Sequence, residues 1–264
     1  MASDRITVLG SGTCVPSLIR SSCALLLEGG SEKVLLDVGP GTMHRLLARD
    51  IRIDDIDAIF LSHFHPDHAG ELPSFLFSTK YPAPMKRSKT LRLTGGTGLK
   101  SFYEGLNETY DYALSLPEEY FCMKELDEGG EGVRVGESES LLRDFSLAWT
   151  RVAHRPESRA YRFTAKNGFS VVYSGDTDYS ETLVDLAGGA DLLISESAFP
   201  DGERVKGHLT PSLAGEIASR AQVGHLVLTH FYPVCELYDI EAQCRKSYKG
   251  RLTMATDLLQ LELE

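Results

Sequence analysis

The sequence predicts an α/β protein in which β-sheets are covered by helices. Short apolar runs closed by glycine or an acidic residue are typical of strands, and they occur in both halves of the chain. Helical stretches alternate with them, a pattern that favours layered sheets and helices. No repeat, low-complexity tract or Pro/Ser-rich linker separates one part of the chain from another. We therefore expect one domain over residues 1–264.

The elements follow from local pattern in chain order. Apolar runs rich in Leu, Ile and Val predict strands at Arg5–Leu9, Cys23–Leu27, Lys33–Asp37, Asp57–Ser62, Leu91–Thr94, Phe145–Ala153, Tyr161–Thr164, Phe169–Ser174, Asp191–Ser195, His225–Thr229 and Leu252–Ala255. Start and stop signals predict helices at Thr42–Arg49, Gly98–Tyr110, Ser180–Ala187, Ser212–Ala221 and Glu236–Tyr248. Gly39-Pro40-Gly41 ends the third strand, and Thr42 is the expected cap of the first helix.

Composition excludes several classes of protein. A hydrophobic content of 42% and a charged content of 25% are ordinary for a globular protein and argue against general disorder. No apolar run approaches the roughly 20 residues that a membrane-spanning helix needs, so we expect no membrane partner. The 27 basic and 38 acidic residues give a net charge of −11. That excess of acid disfavours a long nucleic acid lying across the whole surface.

Cysteine usage predicts the redox environment. The five cysteines are odd in number and include no CxxC pair; they are Cys14, Cys23, Cys122, Cys235 and Cys244. No apolar signal segment follows Met1. These features predict reduced thiols in a cytoplasmic protein.

Charge is unevenly distributed along the chain. Lys80–Lys100 contains six basic residues and no acid, whereas Glu104–Asp144 contains twelve acids and three bases. The two stretches are either ordinary solvated faces or, in the case of Lys80–Lys100, a local patch that attracts anions. The sequence leaves both interpretations open.

The strongest functional signal is the run His63-Phe64-His65-Pro66-Asp67-His68-Ala69-Gly70. Three imidazoles and a carboxylate within six residues are hard to explain as packing, because each buried ring needs its own hydrogen-bond partner. Zinc and similar divalent ions bind neutral imidazole and carboxylate groups. Since His63 and His65 project to the same side and Asp67 and His68 follow one turn later, the run predicts ligands for two ions.

Three further candidate ligands follow predicted strands. His154 ends one strand, Asp176 lies in the turn after another, and His230 ends a third. Strand ends at one edge of a sheet converge on a common site in α/β proteins. We therefore expect these side chains to join the histidine run.

These residues carry a resemblance to a known family. The chain resembles metallo-β-lactamase-fold hydrolases, and within them the ribonuclease Z-like phosphodiesterases. The resemblance spans nearly the whole chain and rests on these segments: Leu9-Gly10-Ser11-Gly12-Thr13, Leu35-Leu36-Asp37-Val38-Gly39, the HxHxDH run, His154 with Arg159-Ala160-Tyr161-Arg162, Tyr173-Ser174-Gly175-Asp176-Thr177, Ser195-Glu196-Ser197, Gly207-His208-Leu209-Thr210 and Leu226-Val227-Leu228-Thr229-His230-Phe231.

The resemblance implies a fold and a ligand set. The fold is the four-layer αββα sandwich, built from two similar halves. One ion is held by His63, His65 and His154, the second by Asp67, His68 and His230, and Asp176 bridges them. The ions are two divalent metals, zinc first, with manganese or iron as alternatives. The resemblance also leaves a homodimer open.

Three more residues receive roles from the resemblance. His208, just before a predicted helix start, lies near the scissile phosphate as a proton donor, with Glu196 as the acidic residue beside it. Asp37 looks like a carboxylate that orients a ligand, although an ordinary strand-end aspartate fits equally well. His44 and His225 match no motif and are expected to be structural.

The expected activity is that of a dinuclear metal-dependent phosphodiesterase. Two ions that share a hydroxide make a nucleophile available at neutral pH, and Asp67 is placed to orient it. The alternatives are a hydrolase of thioesters, lactones or β-lactams on the same scaffold, or a binding module without catalysis. No glycine-rich phosphate loop and no Ser-His-Asp pattern supports a rival mechanism.

The substrate class depends on one loop. In members of the branch that process the 3′ end of transfer RNA, a protruding arm follows the strand that matches Tyr161–Thr164. In this chain Ala165–Gly168 leaves room only for a hairpin turn. We therefore expect a small, cyclic or short single-stranded nucleotide-type phosphodiester, with the transfer-RNA endonuclease as the alternative.

Overall fold

The computed structural model describes residues 4–81, 87–126, 132–135 and 142–263. Within them, two seven-stranded sheets pack face to face. The first sheet has the order β14-β1-β2-β3-β4-β5-β6, with β1 Arg5–Gly10, β2 Ala24–Gly29, β3 Glu32–Leu36, β4 Ala58–Phe60, β5 Leu91–Gly95, β6 Phe121–Glu125 and β14 Leu259–Glu262.

The second sheet has the order β13-β12-β11-β10-β9-β8-β7. Its strands are β7 Arg134–Val135, β8 Phe145–Arg151, β9 Arg159–Ala165, β10 Ser170–Tyr173, β11 Leu192–Glu196, β12 His225–Thr229 and β13 Arg251–Met254. The helices are α1 Thr42–Leu47, α2 Pro66–Ala69, α3 Leu72–Ser78, α4 Leu99–Thr109, α5 Glu181–Ala187, α6 Pro211–Arg220 and α7 Ile240–Cys244.

Each sheet combines antiparallel and parallel pairing. Strands β3 to β6 are parallel to one another, and so are β10 to β13. The carboxyl ends of parallel strands lie at the same edge of a sheet, so the loops that leave them meet there. This arrangement brings the predicted site residues from both halves of the chain to one end of the molecule.

Apolar side chains form three layers of core. The middle core lies between the sheets, where Phe60 packs edge-to-face on Tyr161 at 5.4 Å and on Phe163 at 5.3 Å. The outer face of the first sheet is covered by α1, α3 and α4, and that of the second by α5, α6 and α7. The predicted αββα sandwich is confirmed.

Two hydrogen bonds join the sheets directly below the histidine run. The Tyr161 hydroxyl donates to the carbonyl oxygen of Leu61 at 2.6 Å, and the Arg159 amide donates to that of Ser62 at 2.9 Å. All of these groups are buried, so each bond satisfies polar atoms that no water reaches. The start of the histidine run is therefore fixed to β9 as well as to β4.

Most predicted elements are present, and some details of them are wrong. The strand Phe145–Ala153 ends at Arg151. The helix Glu236–Tyr248 is not continuous, because Tyr238 is extended and Asp239 starts α7 by accepting a hydrogen bond from the Ala242 amide. Elements without a sequence prediction are β6, β7, β14, α2 and α3.

The predicted cap of α1 is also wrong. Gly41, at φ +100°, precedes the helix, and Thr42 is its first residue. The Thr42 hydroxyl donates to the Gly39 carbonyl instead of capping an amide. A left-handed backbone at the turn favours glycine there, so glycine rather than threonine begins this helix.

Three of the six basic residues in the stretch Lys80–Lys100 have partners within the protein, which favours an ordinary face over an anion-binding patch. Arg87 is buried and donates to the carbonyls of Ile53 and Ile56. Lys89 pairs with Asp57 at 2.9 Å, and Arg92 pairs with Glu32 at 2.7 Å. Lys86, like residues 127–131 and 136–141 of the acidic stretch, lies outside the described residues.

No helix among the described residues is long and apolar enough to cross a membrane. All five cysteines lie in the described residues and are free thiols, as predicted.

Protein stability should fall as pH drops from 6.5 to 4, in part because of His225. Burial at the start of β12, reinforced by Arg251, lowers the pKa of His225 to about 4, below its usual value near 6.5. The unfolded chain then binds the proton more readily, so the contribution is complete above pH 6.5 and is lost as pH falls toward 4. After allowance for solvent screening it amounts to about 1–2 kcal/mol.

Urea unfolding at pH 7, 5.5 and 4.5 measures this contribution. The His225→Gln variant should lose less free energy of unfolding between pH 7 and 4.5 than the wild type does. His44→Gln, a change at an exposed position of α1, should keep the wild-type slope. Identical slopes in wild type and His225→Gln would contradict the assignment.

Candidate metal centre

Side chains from six strand ends converge at one edge of the two sheets. The first sheet contributes Asp37 after β3 and the histidine run after β4. The second contributes residues after β8, β10, β11 and β12, namely His154, Asp176, Glu196 at the end of β11, and His230. All seven predicted ligands are brought together.

The first group of ligand atoms comes from His63, His65 and His154. The Nε2 atom of His63 lies 2.9 Å from Nδ1 of His65, and Nε2 of His154 lies 3.2 Å from the same atom. Ligands bound about 2.0–2.1 Å from zinc at angles between a right angle and a tetrahedral one lie roughly 2.9–3.4 Å apart. The three nitrogens therefore have the spacing of ligands around one ion.

The second group comes from Asp67, His68 and His230. The two Nε2 atoms of the histidines lie 3.1 Å apart. Oδ2 of Asp67 lies 3.4 Å from Nε2 of His230 and 3.9 Å from that of His68. All three residues are buried, and their spacing suits a second ion.

Asp176 lies between the two groups and presents one oxygen to each. Oδ1 is 3.2 Å from Nε2 of His68 and 3.3 Å from Nε2 of His230. Oδ2 is 3.7 Å from Nε2 of His63 and 4.0 Å from Nε2 of His154. Within the described residues the buried Oδ1 has no hydrogen-bond partner of suitable geometry. A carboxylate in this position is arranged to bridge two cations.

Hydrogen bonds on the outer side of three rings determine their orientation. Nδ1 of His63 faces Ser62 Oγ at 3.0 Å, and Nδ1 of His68 faces Asp37 Oδ2 at 2.7 Å. Nδ1 of His154 donates to the Gly207 carbonyl at 2.9 Å. A ring that donates from Nδ1 keeps Nε2 unprotonated and free to bind a metal. Each Nε2 points to the centre.

Backbone conformation directs two of these groups inward. Asp37 has φ +61° and His230 has φ +59°, left-handed values that are uncommon for residues other than glycine. Each residue directly follows a strand, so the turn swings its side chain out of the strand direction. Backbone strain of this kind concentrates at functional sites.

Gly207 has φ +90°, and a Cβ atom there would lie 3.1 Å from Nδ1 of His154. Only glycine combines that backbone with so close an approach to the ring. Its carbonyl is therefore held against the ligand that it orients.

The protonation states suit a divalent cation. Burial lowers the pKa of His63 well below its usual value and lowers that of His154, which favours neutral imidazole. Asp176 has a pKa well below the usual range although burial opposes ionisation, because His230 and His68 stabilise its charge. Burial also disfavours charge on His68, yet Asp176 and Asp37 raise its pKa well above the usual value. The carboxylates thus favour positive charge at the centre, as a bound cation would supply.

His208 lies beside the two groups with Glu196 behind it. Nδ1 of His208 is 3.2 Å from both Glu196 oxygens, and its ring centroid is 5.1 Å from that of His154 and 5.9 Å from that of His230. Burial opposes protonation, but the hydrogen bond and charge of Glu196 raise the pKa of His208 to about 9. Oε1 of Glu196 also accepts the Thr177 amide at 2.6 Å. Glu196 thus stabilises the protonated form of the ring.

Comparison with known proteins identifies the family of this centre. The model of the beta-lactamase superfamily domain matches residues 32–231. The chain belongs to the metallo-β-lactamase superfamily, in its ribonuclease Z-like branch. The ribonuclease Z of Synechococcus sp. (strain CC9605) is 30% identical to it over an alignment of 284 residues that covers 87% of this chain and 86% of the relative.

Solved structures agree with this assignment. The metallo-β-lactamase-fold protein YhfI from Bacillus subtilis superposes with a TM-score of 0.82 at 21% identity, covering 99% of this chain and 100% of that one. Human tRNase Z, short form, gives a TM-score of 0.77 at 25% identity, covering 98% and 99%. As a member of the metallo-β-lactamase superfamily in this branch, the protein is a metal-dependent hydrolase. Its clustered His and Asp residues could hold the divalent metal that this fold implies.

Some residues around the centre have no signal in the sequence. Ser62 and Gly207 orient ring nitrogens, and Tyr173 donates to Asp37 at 2.6 Å from the opposite sheet. The available hints were the segments that carry the family resemblance, since Gly207 precedes His208 in one and Tyr173 begins another. His44 is exposed on α1 and His225 lies at the opposite end of β12, so neither joins the site.

The Asp37→Asn variant should bind metal about 10–100-fold more weakly at the Asp67, His68 and His230 group. Asparagine keeps the size of Asp37 but removes the charge that accepts the His68 Nδ1 proton, so Nε2 becomes a poorer and less oriented ligand. Competition with a fluorescent zinc chelator measures the affinity, and metal analysis after dialysis measures the occupancy.

Asp191→Asn is the matched control. Asp191 also accepts hydrogen bonds from a backbone amide and a hydroxyl, both of Ser170, but it precedes β11 at the far end of the sheet. The Asp191→Asn variant should bind metal with the affinity of the wild type. Equal affinity in Asp37→Asn would show that Asp37 does not orient His68.

Proposed function

We propose that this hydrolase is a dinuclear phosphodiesterase, with zinc as the first expected metal and manganese or iron as alternatives. Two ligand groups that share Asp176 support the dinuclear centre. The observation that carries the phosphodiester assignment is the position of His208 beside both groups, with its Nδ1 hydrogen-bonded to Glu196. A thioester expels a thiolate, which needs such a donor less than an alkoxide does.

Divalent ions bound at the two groups would supply Lewis acidity, which lowers the pKa of water and neutralises the charge of a phosphate. Asp67 is positioned to orient the attacking water, because its Oδ2 lies at the edge of the second group, 3.4 Å from His230. Asp176 and the surrounding rings fix the distance between the groups.

His208 is the proposed donor to the leaving oxygen. Its Nδ1 hydrogen bonds to Glu196, which leaves the Nε2 proton for transfer. Glu196 acts through His208 as a positioning residue: its buried carboxylate is fixed by the Thr177 amide and stabilises the imidazolium. After transfer, the neutral ring keeps its Nδ1 hydrogen bond.

Two features favour a short nucleotide-type substrate. The hairpin between β9 and β10 contains only residues 166–169, so no arm protrudes at this place. Phe199 and Tyr232 stack at 4.4 Å beside His208 and are half-buried, a suitable surface for a nucleobase. We propose a small or short single-stranded phosphodiester as the substrate of a protein without membrane partners.

A transfer-RNA 3′-end endonuclease is the second candidate. It is favoured by the relatives named ribonuclease Z. The alignment with the first of them, at 284 residues, is longer than this chain of 264, so the relative contains insertions that this chain lacks. We rank the endonuclease second because this chain lacks those insertions.

The His208→Gln variant should separate substrates by their leaving groups. Cleavage of the dinucleotide UpU expels an alkoxide and should slow by about 10²–10⁴-fold without a proton donor. Bis(p-nitrophenyl) phosphate expels a stable phenolate and should slow by less than about tenfold. Steady-state kinetics of the metal-loaded protein on both substrates gives the two ratios.

His44→Gln serves as the control for removing one imidazole and should leave both rates unchanged. If His208→Gln slowed the two substrates equally, the residue would support the structure of the site and would not donate the proton.

A substrate panel should rank short oligoribonucleotides above precursor transfer RNA in kcat/KM. The expectation follows from the short hairpin, which offers no extended surface to the body of a transfer RNA. The panel contains UpU, hexauridylate, a 2′,3′-cyclic and a 3′,5′-cyclic nucleotide, a precursor transfer RNA and an acyl thioester. Fastest cleavage of the precursor at its 3′ end would favour the second candidate, and fastest thioester hydrolysis would overturn the phosphodiesterase.

A further inference from the structure

A large cleft opens beside the first ligand group. It has a volume of about 1280 Å³ and reaches the centre at His65 and His154. Its walls come from the end of β8 and the loop that follows it, from residues 178–182, and from residues 204–207. Small-molecule sites usually measure about 300–1,000 Å³. The cleft therefore has room for more than the group that is cleaved.

The cleft is strongly basic. Its lining includes Arg151, Arg155, Arg204 and Lys206, and a single acid, Asp178. Asp178 pairs with Arg204 at 2.7 Å and accepts the Gly207 amide at 3.1 Å. In the described part of the chain the other three basic side chains have no acidic partner. Three positive side chains without an acidic partner among the described residues thus lie together on a protein whose net charge is −11.

The three basic side chains lie beside the candidate metal centre, and this position argues against an ordinary solvated basic face. Like charges close together raise the free energy of the folded protein, and bound ions add to the local positive potential. Two of these three side chains are next in sequence to His154 or to the glycine that orients its ring. Arg155 follows His154, and Lys206 precedes Gly207, whose carbonyl holds the His154 ring. An anion with charge beyond that of one phosphodiester would offset this repulsion.

We propose that this cleft binds a second phosphate group of the substrate, with Arg155 and Lys206 as its principal contacts. The inference rests on the proposed phosphodiesterase activity and specifies its substrate class. A cyclic mononucleotide has one phosphate and leaves the cleft empty. A short oligonucleotide, or a dinucleotide with a terminal phosphate, places a neighbouring phosphate there while the scissile one lies at the centre.

Kinetics on three dinucleotides tests the subsite. UpU has one phosphate, and pUpU and UpUp each add a terminal phosphate on one side. With metal-loaded wild type, at least one of pUpU and UpUp should have a KM about tenfold below that of UpU. In the double variant Arg155→Gln/Lys206→Gln this advantage should disappear, while kcat/KM for UpU and for bis(p-nitrophenyl) phosphate stays within about twofold of wild type.

Lys249→Gln is the control for loss of a positive charge elsewhere. Lys249 is exposed and its ammonium group contacts the Arg245 carbonyl, outside the cleft. It should keep the wild-type KM ratio. Equal loss of activity of the double variant on all four substrates would indicate a general effect and overturn the inference.

Binding provides a second readout. A fluorescein-labelled, phosphorothioate-linked hexauridylate keeps its charges and resists cleavage. Its anisotropy with metal-loaded protein should show a Kd at least fivefold weaker in the double variant than in wild type, with a shallower dependence on salt concentration. An unchanged Kd, or no binding by the wild type, would contradict the subsite.

The two proposals fail differently. If metal-loaded wild type hydrolyses none of the phosphodiesters, the proposed function is wrong. If it hydrolyses bis(p-nitrophenyl) phosphate and UpU but gives one KM for UpU, pUpU and UpUp, the activity holds and the subsite is wrong.

Discussion

The buried carboxylate of Asp37 is the constraint on which the rest of the site depends. It accepts four hydrogen bonds: the Ser62 amide at 2.6 Å, the Ser62 hydroxyl at 2.8 Å, the Tyr173 hydroxyl at 2.6 Å and His68 Nδ1 at 2.7 Å. The donors come from the end of β4, the histidine run and the opposite sheet. A carboxyl group without exposure is tolerated only when its oxygens are so fully hydrogen-bonded. Asp37 therefore couples the packing of the two sheets to the direction of one ligand ring.

That coupling explains why the centre is formed between the halves of the molecule. The first sheet supplies four candidate ligands within six residues, and the second sheet supplies His154, Asp176 and His230. Neither set completes an ion site alone, because Asp176 must present one oxygen to each group. The Tyr161–Leu61 and Arg159–Ser62 hydrogen bonds hold the sheets in the required alignment at this edge. Side-chain packing between the sheets thus determines ligand distances within a few tenths of an ångström.

The sequence predicted those elements and ligands that depend on a local pattern of residues. Buried parallel strands are continuous apolar runs, and ligands placed directly after them are visible as His or Asp at strand ends. It did not predict features that depend on contacts with distant parts of the chain or on backbone conformation. Both edge strands have a weak pattern: β14 alternates Leu with polar residues, and β6 has only three apolar residues before Lys124 and Glu125. The break before α7 depends on the extended backbone of Tyr238. The partners of Arg87, Lys89 and Arg92 lie more than 30 residues away in the chain. Gly207 orients the His154 ring through its backbone carbonyl, a role that the residue type does not specify.

Net charge illustrates the difference between an average and a local property. At −11 the chain as a whole repels polyanions, and that average argues against a long nucleic acid across its surface. Near the centre the balance is reversed, because Asp67 and Asp176 face the proposed ions, Asp178 is paired with Arg204, and three cations stay without acidic partners among the described residues. Basic side chains that line one cleft suit a short anionic strand, whereas an overall charge of −11 offers nothing to the remainder of a large RNA. The charge distribution and the short β9–β10 hairpin therefore limit the substrate in the same direction: both favour an anion no longer than the cleft.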